Sequence, residues 1–244
     1  MIQKILKNAF RQLGVDIRMH TATSTPTAQI VTALKHFEID LILDVGANTG
    51  QFSSEVRREG YEGNIVSFEP LSEAYDSLRK NSQADGKWII HPRCAIGDCN
   101  GESEINIAGN SASSSLLPML DSHLSVAPHT AYVGKELVPI RTLDIVVPDY
   151  VAKFKNPFLK IDTQGFEWQV LNGAQNVLPK MRGVLIELSL LPLYEGQRLW
   201  LDIIDRLESE GFVLWALQQG FIDPHNARTL QMDGIFFRHG DLDR

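Results

Sequence analysis

The sequence predicts an α/β protein: a doubly wound, mostly parallel sheet of seven strands that closes in a C-terminal antiparallel hairpin. Three observations carry this. Residues 41–50, LILDVGANTG, read as a buried strand, a glycine turn and the start of a helix. Short apolar runs then alternate with segments of helical period along the chain. Last, 212–217 and 234–237 read as two successive strands with no helix between them.

Taken in order, residues 1–13 place Ile2, Ile5, Leu6, Phe10 and Leu13 opposite Lys4, Lys7 and Arg11. That is an amphipathic helix, which either docks on the core or rests weakly on an anionic membrane surface. A polar loop over 20–27 leads to a second helix ending at His36 or Phe37, with Ile30, Val31, Leu34 and Phe37 inward. After the glycine turn, Phe52 and Val56 share one helical face. NIVSF at 64–68 is the second strand, and Ser72 is the expected N-cap of the helix behind it. A third strand is expected at 87–91. Residues 102–107 alternate, with Ile105 and Ile107 on one face, as in an added antiparallel strand. The serine-rich stretch 109–135 is irregular and reads as a lid or substrate wall. A strand is expected over 136–143, then a helix through Tyr150 and Phe154 that Pro148 interrupts. FLKI at 158–161 is the fourth core strand, followed by a helix over 168–177. The fifth strand, 184–186, ends in Glu187. A site-facing loop, 191–198, precedes a helix over 200–210 with Ile203, Ile204 and Leu207 inward and Gly211 as its stop.

Composition bounds the function. The chain has 244 residues, 43% hydrophobic and 22% charged, the balance of an ordinary globular protein. A net charge of −7 argues against nucleic acid as an electrostatically captured partner. The two cysteines, Cys94 and Cys99, make no disulfide scaffold and fit a reducing cytoplasm. No apolar run is long enough to span a membrane, and no signal-peptide core opens the chain.

The turn at Gly46, Ala47, Asn48, Thr49 and Gly50 fits neither the dinucleotide fingerprint nor the P-loop, and no lysine follows Gly50. The acidic Asp44 beside it repels phosphate and suits a cation. Glu69, nineteen residues beyond Gly50 and followed by Pro70, stands where a ribose diol is held. A nucleoside with a positive charge and no phosphate describes S-adenosylmethionine. Ala95 and Ile96 fall at the depth of an adenine edge.

Charged groups recur at successive strand tips: Asp44, Glu69, Lys160 with Asp162, and Glu187. Methyl transfer to a hydroxyl gains from a base. Asp162 is the first choice, with Lys160 two residues earlier on the same strand face keeping it ionised or orienting the acceptor oxygen. Glu187 and His129 compete for that role. Asp162 with Glu167 also offers two carboxylates to a divalent ion, but a compact third acidic ligand is missing, so a metal is not favoured. Tyr132 in the lid and Tyr194 in the 191–198 loop are candidates for acceptor binding.

Together LILDVGANTGQF, SFEP, TLD at 142–144, FLKIDTQGFEWQVLNGA and LIELSLLPLYEGQ resemble the FkbM-type methyltransferases over about 41–237. The resemblance implies a Rossmann-like class I S-adenosylmethionine-dependent fold with oxygen acceptors, often sugar hydroxyls of glycolipids, polysaccharides or glycosylated metabolites. Carried over, Asp44, Gly46, Asn48, Gly50 and Phe52 form the cofactor loop, Glu69 holds the ribose, and Lys160, Asp162, Gly165 and Glu167 face donor or acceptor. Many relatives carry Glu where this chain has Gln164, so no role is assigned there. The expected organisation is a helical extension at 1–40 and a methyltransferase domain at 41–244 with its lid at about 109–135. A cytoplasmic sugar O-methyltransferase leads. A polyketide-like hydroxyl acceptor and a non-catalytic cofactor-binding scaffold in glycan synthesis are the alternatives. A homodimer through the N-terminal helix is left open.

Overall fold

A computed structural model describes residues 10–15 and 19–241. Most of the expected helix at 1–13 lies outside the described residues. Seven strands form the main sheet in the order β3-β2-β1-β7-β8-β10-β9. β1 (Leu41–Val45) runs parallel to β2 (Asn64–Phe68) and β7 (Pro157–Ile161), and β2 is parallel to β3 (Trp88–Ile90). β8 (Gly183–Ser189) continues the parallel set. β10 (Gln231–Arg238) is antiparallel to both β8 and β9 (Phe212–Gln219). The mostly parallel sheet and its antiparallel close are those expected from the apolar runs.

Five helices of more than one turn stand among the described residues: α1 (Pro26–His36), α2 (Gln51–Arg58), α3 (Ser72–Ser82), α4 (Glu167–Asn172) and α5 (Trp200–Ser209). α1 and α2 bury Ile30, Val31, Leu34 and Val56 against Ile42, Ile65 and Phe158 on one face of the sheet. α4 and α5 bury Val170, Leu171, Ile203 and Leu207 against Leu43, Val66 and Ile161 on the other. Alternate residues of one buried strand therefore serve two cores, which is why β1 and β7 are apolar runs rather than alternating ones.

Several local expectations differ. Leu71, not Ser72, occupies the N-cap of α3, and Ser72 instead donates from its N–H and Oγ to Glu136 Oε2, 3.2 Å in each case. The strand expected at 102–107 is β5 (Gly101–Ala108), but it joins no main-sheet strand. It pairs with β6 (Tyr132–Arg141), which also pairs with the two-residue β4 (Ala95–Ile96), making a second, three-stranded sheet. β6 thus begins four residues before the strand expected at 136–143. The helix expected at 168–177 is the shorter α4, because the segment after it is held by Asp144: its carboxylate accepts from the N–H groups of Asn176 and Val177. The stretch 109–135 contains single turns at Ser111–Ser113, Asp121–Leu124 and Pro128–Thr130 and packs on the 191–198 loop through the N–H of Leu120 to Leu193 O and of Glu195 to Pro118 O.

Candidate functional site

The glycine turn sets the site. Gly46 has φ +75°, and a Cβ there would stand 1.8 Å from the carbonyl oxygen of Asp162. Gly50, the N-cap of α2 at φ +89°, would push a Cβ into Trp88 and Leu78. The close approach brings β1 and β7 together so that their tips share one crevice.

Glu69 lies in that crevice. Its Oε2 accepts from the N–H of Asn48 at 2.8 Å and its Oε1 from that of Leu71 at 2.9 Å. Each oxygen keeps a lone pair for a further donor. Burial pushes the carboxyl up to about 7, against the two N–H groups that pull it down. The surrounding cleft of about 550 Å³ is lined by apolar Phe68, Leu71, Ala95 and Ile96 and by polar Asn48 and Asp162. Pro70 lines it too, and Ser111, Ala112 and Ser114 of the 109–135 stretch cover it. Asn48 Nδ2 donates to Ser111 Oγ at 3.1 Å, fastening that cover to the glycine turn.

Asp162 is the junction. It lines this cleft, a groove beside Ala47, Gln51 and Phe52, and a third groove toward α1. Its side chain is 40% exposed. Lys160 Nζ stands 3.7 Å from Oδ2, and Gln164 Nε2 donates to Oδ1 at 2.8 Å.

Asp44, expected against the cofactor, lines none of these clefts. Its side chain is 0% exposed, on the α1–α2 face of the sheet. Oδ2 accepts from Ser53 and Ser67, and Oδ1 pairs with Lys160 Nζ at 3.1 Å. Lys160 also donates to Gly46 O at 3.0 Å. Burial pulls this ammonium down, but Asp44 and Asp162 together hold it raised and therefore charged. The pair thus anchors the underside of the glycine turn.

Gln164, to which the sequence assigned nothing, is the hub of the neighbouring network. It sits at φ +55°. Its Nε2 also donates to Glu187 Oε2 at 3.1 Å, and its Oε1 accepts from the hydroxyl of Tyr194 at 2.9 Å. Glu187 accepts further from Gln231. Burial, then the charges of Asp162, Glu167 and Asp233, push Glu187 well above the usual carboxylate range. Glu167 is turned onto its own loop: Oε1 accepts from the N–H of Thr163 and of Gly165 and from the Thr163 hydroxyl. Burial raises it to about 7.

The structure therefore gathers Gly46, Ala47, Asn48, Phe52, Glu69, Pro70, Ala95, Ile96, Lys160 and Asp162 around connected clefts. Glu187 and Tyr194 line none of these clefts and are linked to Asp162 through the hydrogen bonds of Gln164. Tyr132 donates to Leu117 O at 2.7 Å and lines none of these clefts. His129 is exposed on the Pro128–Thr130 turn, also off the clefts. Asp233, which reasoning from sequence passed over, lines the groove toward α1; its signal was an acid inside an otherwise buried strand. Among the described residues no three His, Cys, Asp or Glu side chains form a group that could hold a metal ion.

The mostly parallel sheet in this strand order, closed by antiparallel β10 and β9, is a Rossmann-like fold. A family model described as the methyltransferase FkbM domain matches residues 44–214, and the chain belongs to that family. It is 26% identical over 221 residues to the 2-O-methyltransferase NoeI of Sinorhizobium fredii, covering 84% of this chain and 85% of that one. It is 24% identical over 151 residues to the hexuronic acid methyltransferase AglP of Haloferax volcanii, covering 62% of this chain and 56% of that one. Among solved structures, the precorrin-6y C5,15-methyltransferase of Geobacter metallireducens is similar at a TM-score of 0.42 and 12% identity, over 90% of this chain and 91% of that one.

Proposed function

We propose that the protein is an S-adenosylmethionine-dependent O-methyltransferase acting on a sugar hydroxyl. The observation that carries the cofactor is Glu69: a buried carboxylate with free lone pairs, at the tip of β2, beside an apolar wall that suits a base. Glu69 would accept from the two ribose hydroxyls, and Phe68, Leu71, Ala95 and Ile96 would enclose the adenine. Bound there, the cofactor supplies an electrophilic methyl group on a sulfonium. The protein's own work is then position and one proton.

Asp162 is suited to take that proton. It is partly exposed where the clefts meet, and Lys160 and Gln164 fix its carboxylate from two sides. A hydroxyl held against its free lone pairs is aligned and stripped of its proton as the oxygen attacks. The oxygen acceptor and the sugar class rest on the relatives, one named a 2-O-methyltransferase and the other a hexuronic acid methyltransferase.

Transfer of label from methyl-labelled S-adenosylmethionine to a mixture of glycans, read by mass spectrometry, tests this reading. Labelled sugar from the wild type, and a rate of labelling lower by roughly 10²–10⁴-fold from Asp162→Asn, is the expected result. Failure to bind S-adenosylmethionine or S-adenosylhomocysteine by calorimetry would sink it.

A further inference from the structure

The groove toward α1 has a chemistry of its own. It holds about 540 Å³ of space between the first turn of α1, Phe52 of α2 and the tips of β7 and β10. It joins the other clefts at Lys160 and Asp162. If Glu69 takes the ribose and Ala95 and Ile96 the base, the opposite end of the cofactor lies at Gly46 and Asp162. An acceptor must reach Asp162 without crossing the adenine, and this groove opens there. The step rests on the cofactor reading given above.

Three carboxylates line it: Glu55, Asp162 and Asp233. Lys160 is the one cation among the lining residues, and its ammonium is already engaged by Asp44 at 3.1 Å, by Gly46 O at 3.0 Å and by Asp162 at 3.7 Å. Glu55 accepts from the Thr27 hydroxyl at 3.3 Å. Asp233 is different. It faces Gln218 on one side of the ladder and Glu187 on the other, so the three side chains share the α1 face of the sheet. Gln218 is tied to α1, donating to Pro26 O and Gln29 Oε1 at 2.9 Å each, and Glu187 is bound by Gln164 and Gln231. The Asp233 carboxyl has no hydrogen-bond or ion-pair partner among the described residues, and it borders open space. Partly buried on the groove wall, this carboxyl is free to accept from a ligand that enters the groove.

We propose that this groove is the acceptor subsite, that it takes a sugar unit bearing hydroxyl or amino groups and no carboxylate, and that Asp233 binds that unit. Hydroxyl and ammonium groups are the donors that Asp233 lacks and that the exposed side of Asp162 can still accept. A uronic acid would instead set its own carboxylate against these two, with no uncommitted cation to receive it. Like charges so placed exclude a ligand as effectively as a clash. Phe52 gives one apolar wall on which a sugar ring can lie.

The test uses the full chain, methyl-labelled for NMR and saturated with S-adenosylhomocysteine. Pools of neutral, amino and uronic methyl glycosides, matched in ring stereochemistry, are titrated in, and the methyl signals of Ile30 and Leu185, both in the groove wall, are followed. The neutral or the amino pool is expected to shift them and the uronic pool to leave them still. Asp233→Asn should weaken the responsive pool by about tenfold, the loss of one charge-assisted hydrogen bond. Thr27→Trp, at the mouth of the groove, should abolish the response while S-adenosylhomocysteine binds as before. A uronic pool that shifts the signals as strongly, silence from all three pools, or shifts that survive both substitutions would overturn the proposal. Silence with S-adenosylhomocysteine still bound refutes the groove alone, whereas loss of that binding refutes the cofactor reading.

Discussion

At Glu69 two facts meet: burial raises the carboxyl to about 7, and its oxygens face a cleft that can bring it two hydroxyl donors. Such donors favour the ionised form, so binding should expel a proton near pH 6. Affinity for S-adenosylhomocysteine is then expected to rise as pH climbs toward 7 and to level off above it, and the Glu69→Gln variant should show a flat profile. Calorimetry in buffers of different ionisation enthalpy measures the proton directly. For the free protein the sign is opposite. An acid whose folded value is raised from 4.5 to about 7 supports the fold fully at low pH and loses that contribution as pH rises across the same window. Asp162→Asn should keep cofactor affinity within a few-fold and lower kcat by roughly 10²–10⁴-fold, the range of a general base. Glu69 and Asp162 were legible in the sequence because each sits at a strand tip fixed by its neighbours in the chain. Gln164 and the burial of Asp44 were not. Their meaning comes from Tyr194, Glu187 and Lys160, which meet them only when β7 lies beside β1 and β8 beside β7.

Among the elements, the β1 turn carries most of the constraint. Gly46→Ala places a methyl within 1.8 Å of a backbone oxygen of the adjoining strand, at a left-handed φ. Separating β1 from β7 at their tips should cost roughly 3 kcal/mol or more and weaken cofactor binding in step, as urea unfolding and calorimetry would show. The Asp44–Lys160 pair beneath the turn makes a second prediction. Asp44→Asn leaves Lys160 buried with only the more distant Asp162 and should cost about 3 kcal/mol; the double variant Asp44→Asn, Lys160→Met should regain much of that stability, yet stay impaired in turnover because Asp162 loses its lysine. Equal losses in the single and double variants would contradict this. The β1, β2 and β7 strands were readable as unbroken apolar runs. The second sheet was not: 95–96 meets 140–141 across more than forty residues, and no local pattern records that pairing. The internal order of 109–135 was not readable for a related reason, since it comes in part from contacts with 191–198.

For the molecule as a whole, one continuous sheet feeds connected clefts, with Glu69, the glycine turn and Asp162 on the tips of the adjacent strands β2, β1 and β7. A ligand that bridges those tips stabilises the folded state by mass action. S-adenosylhomocysteine at a hundred times its Kd should add about 2.7 kcal/mol and raise Tm by roughly 5–10 °C, and Glu69→Ala should show little of that gain at the same concentration. The overall class was readable because strand and helix alternate in a fixed order and the hairpin ends the chain; the two-sheet arrangement that covers the cleft was not. The measurement that tests the account most directly is a crystal structure with S-adenosylhomocysteine bound. Both ribose hydroxyls should donate to Glu69, with the adenine against Ala95 and Ile96 and the sulfur turned toward Asp162. A ribose held elsewhere, or an adenine lying over Lys160 and Asp233, would contradict it.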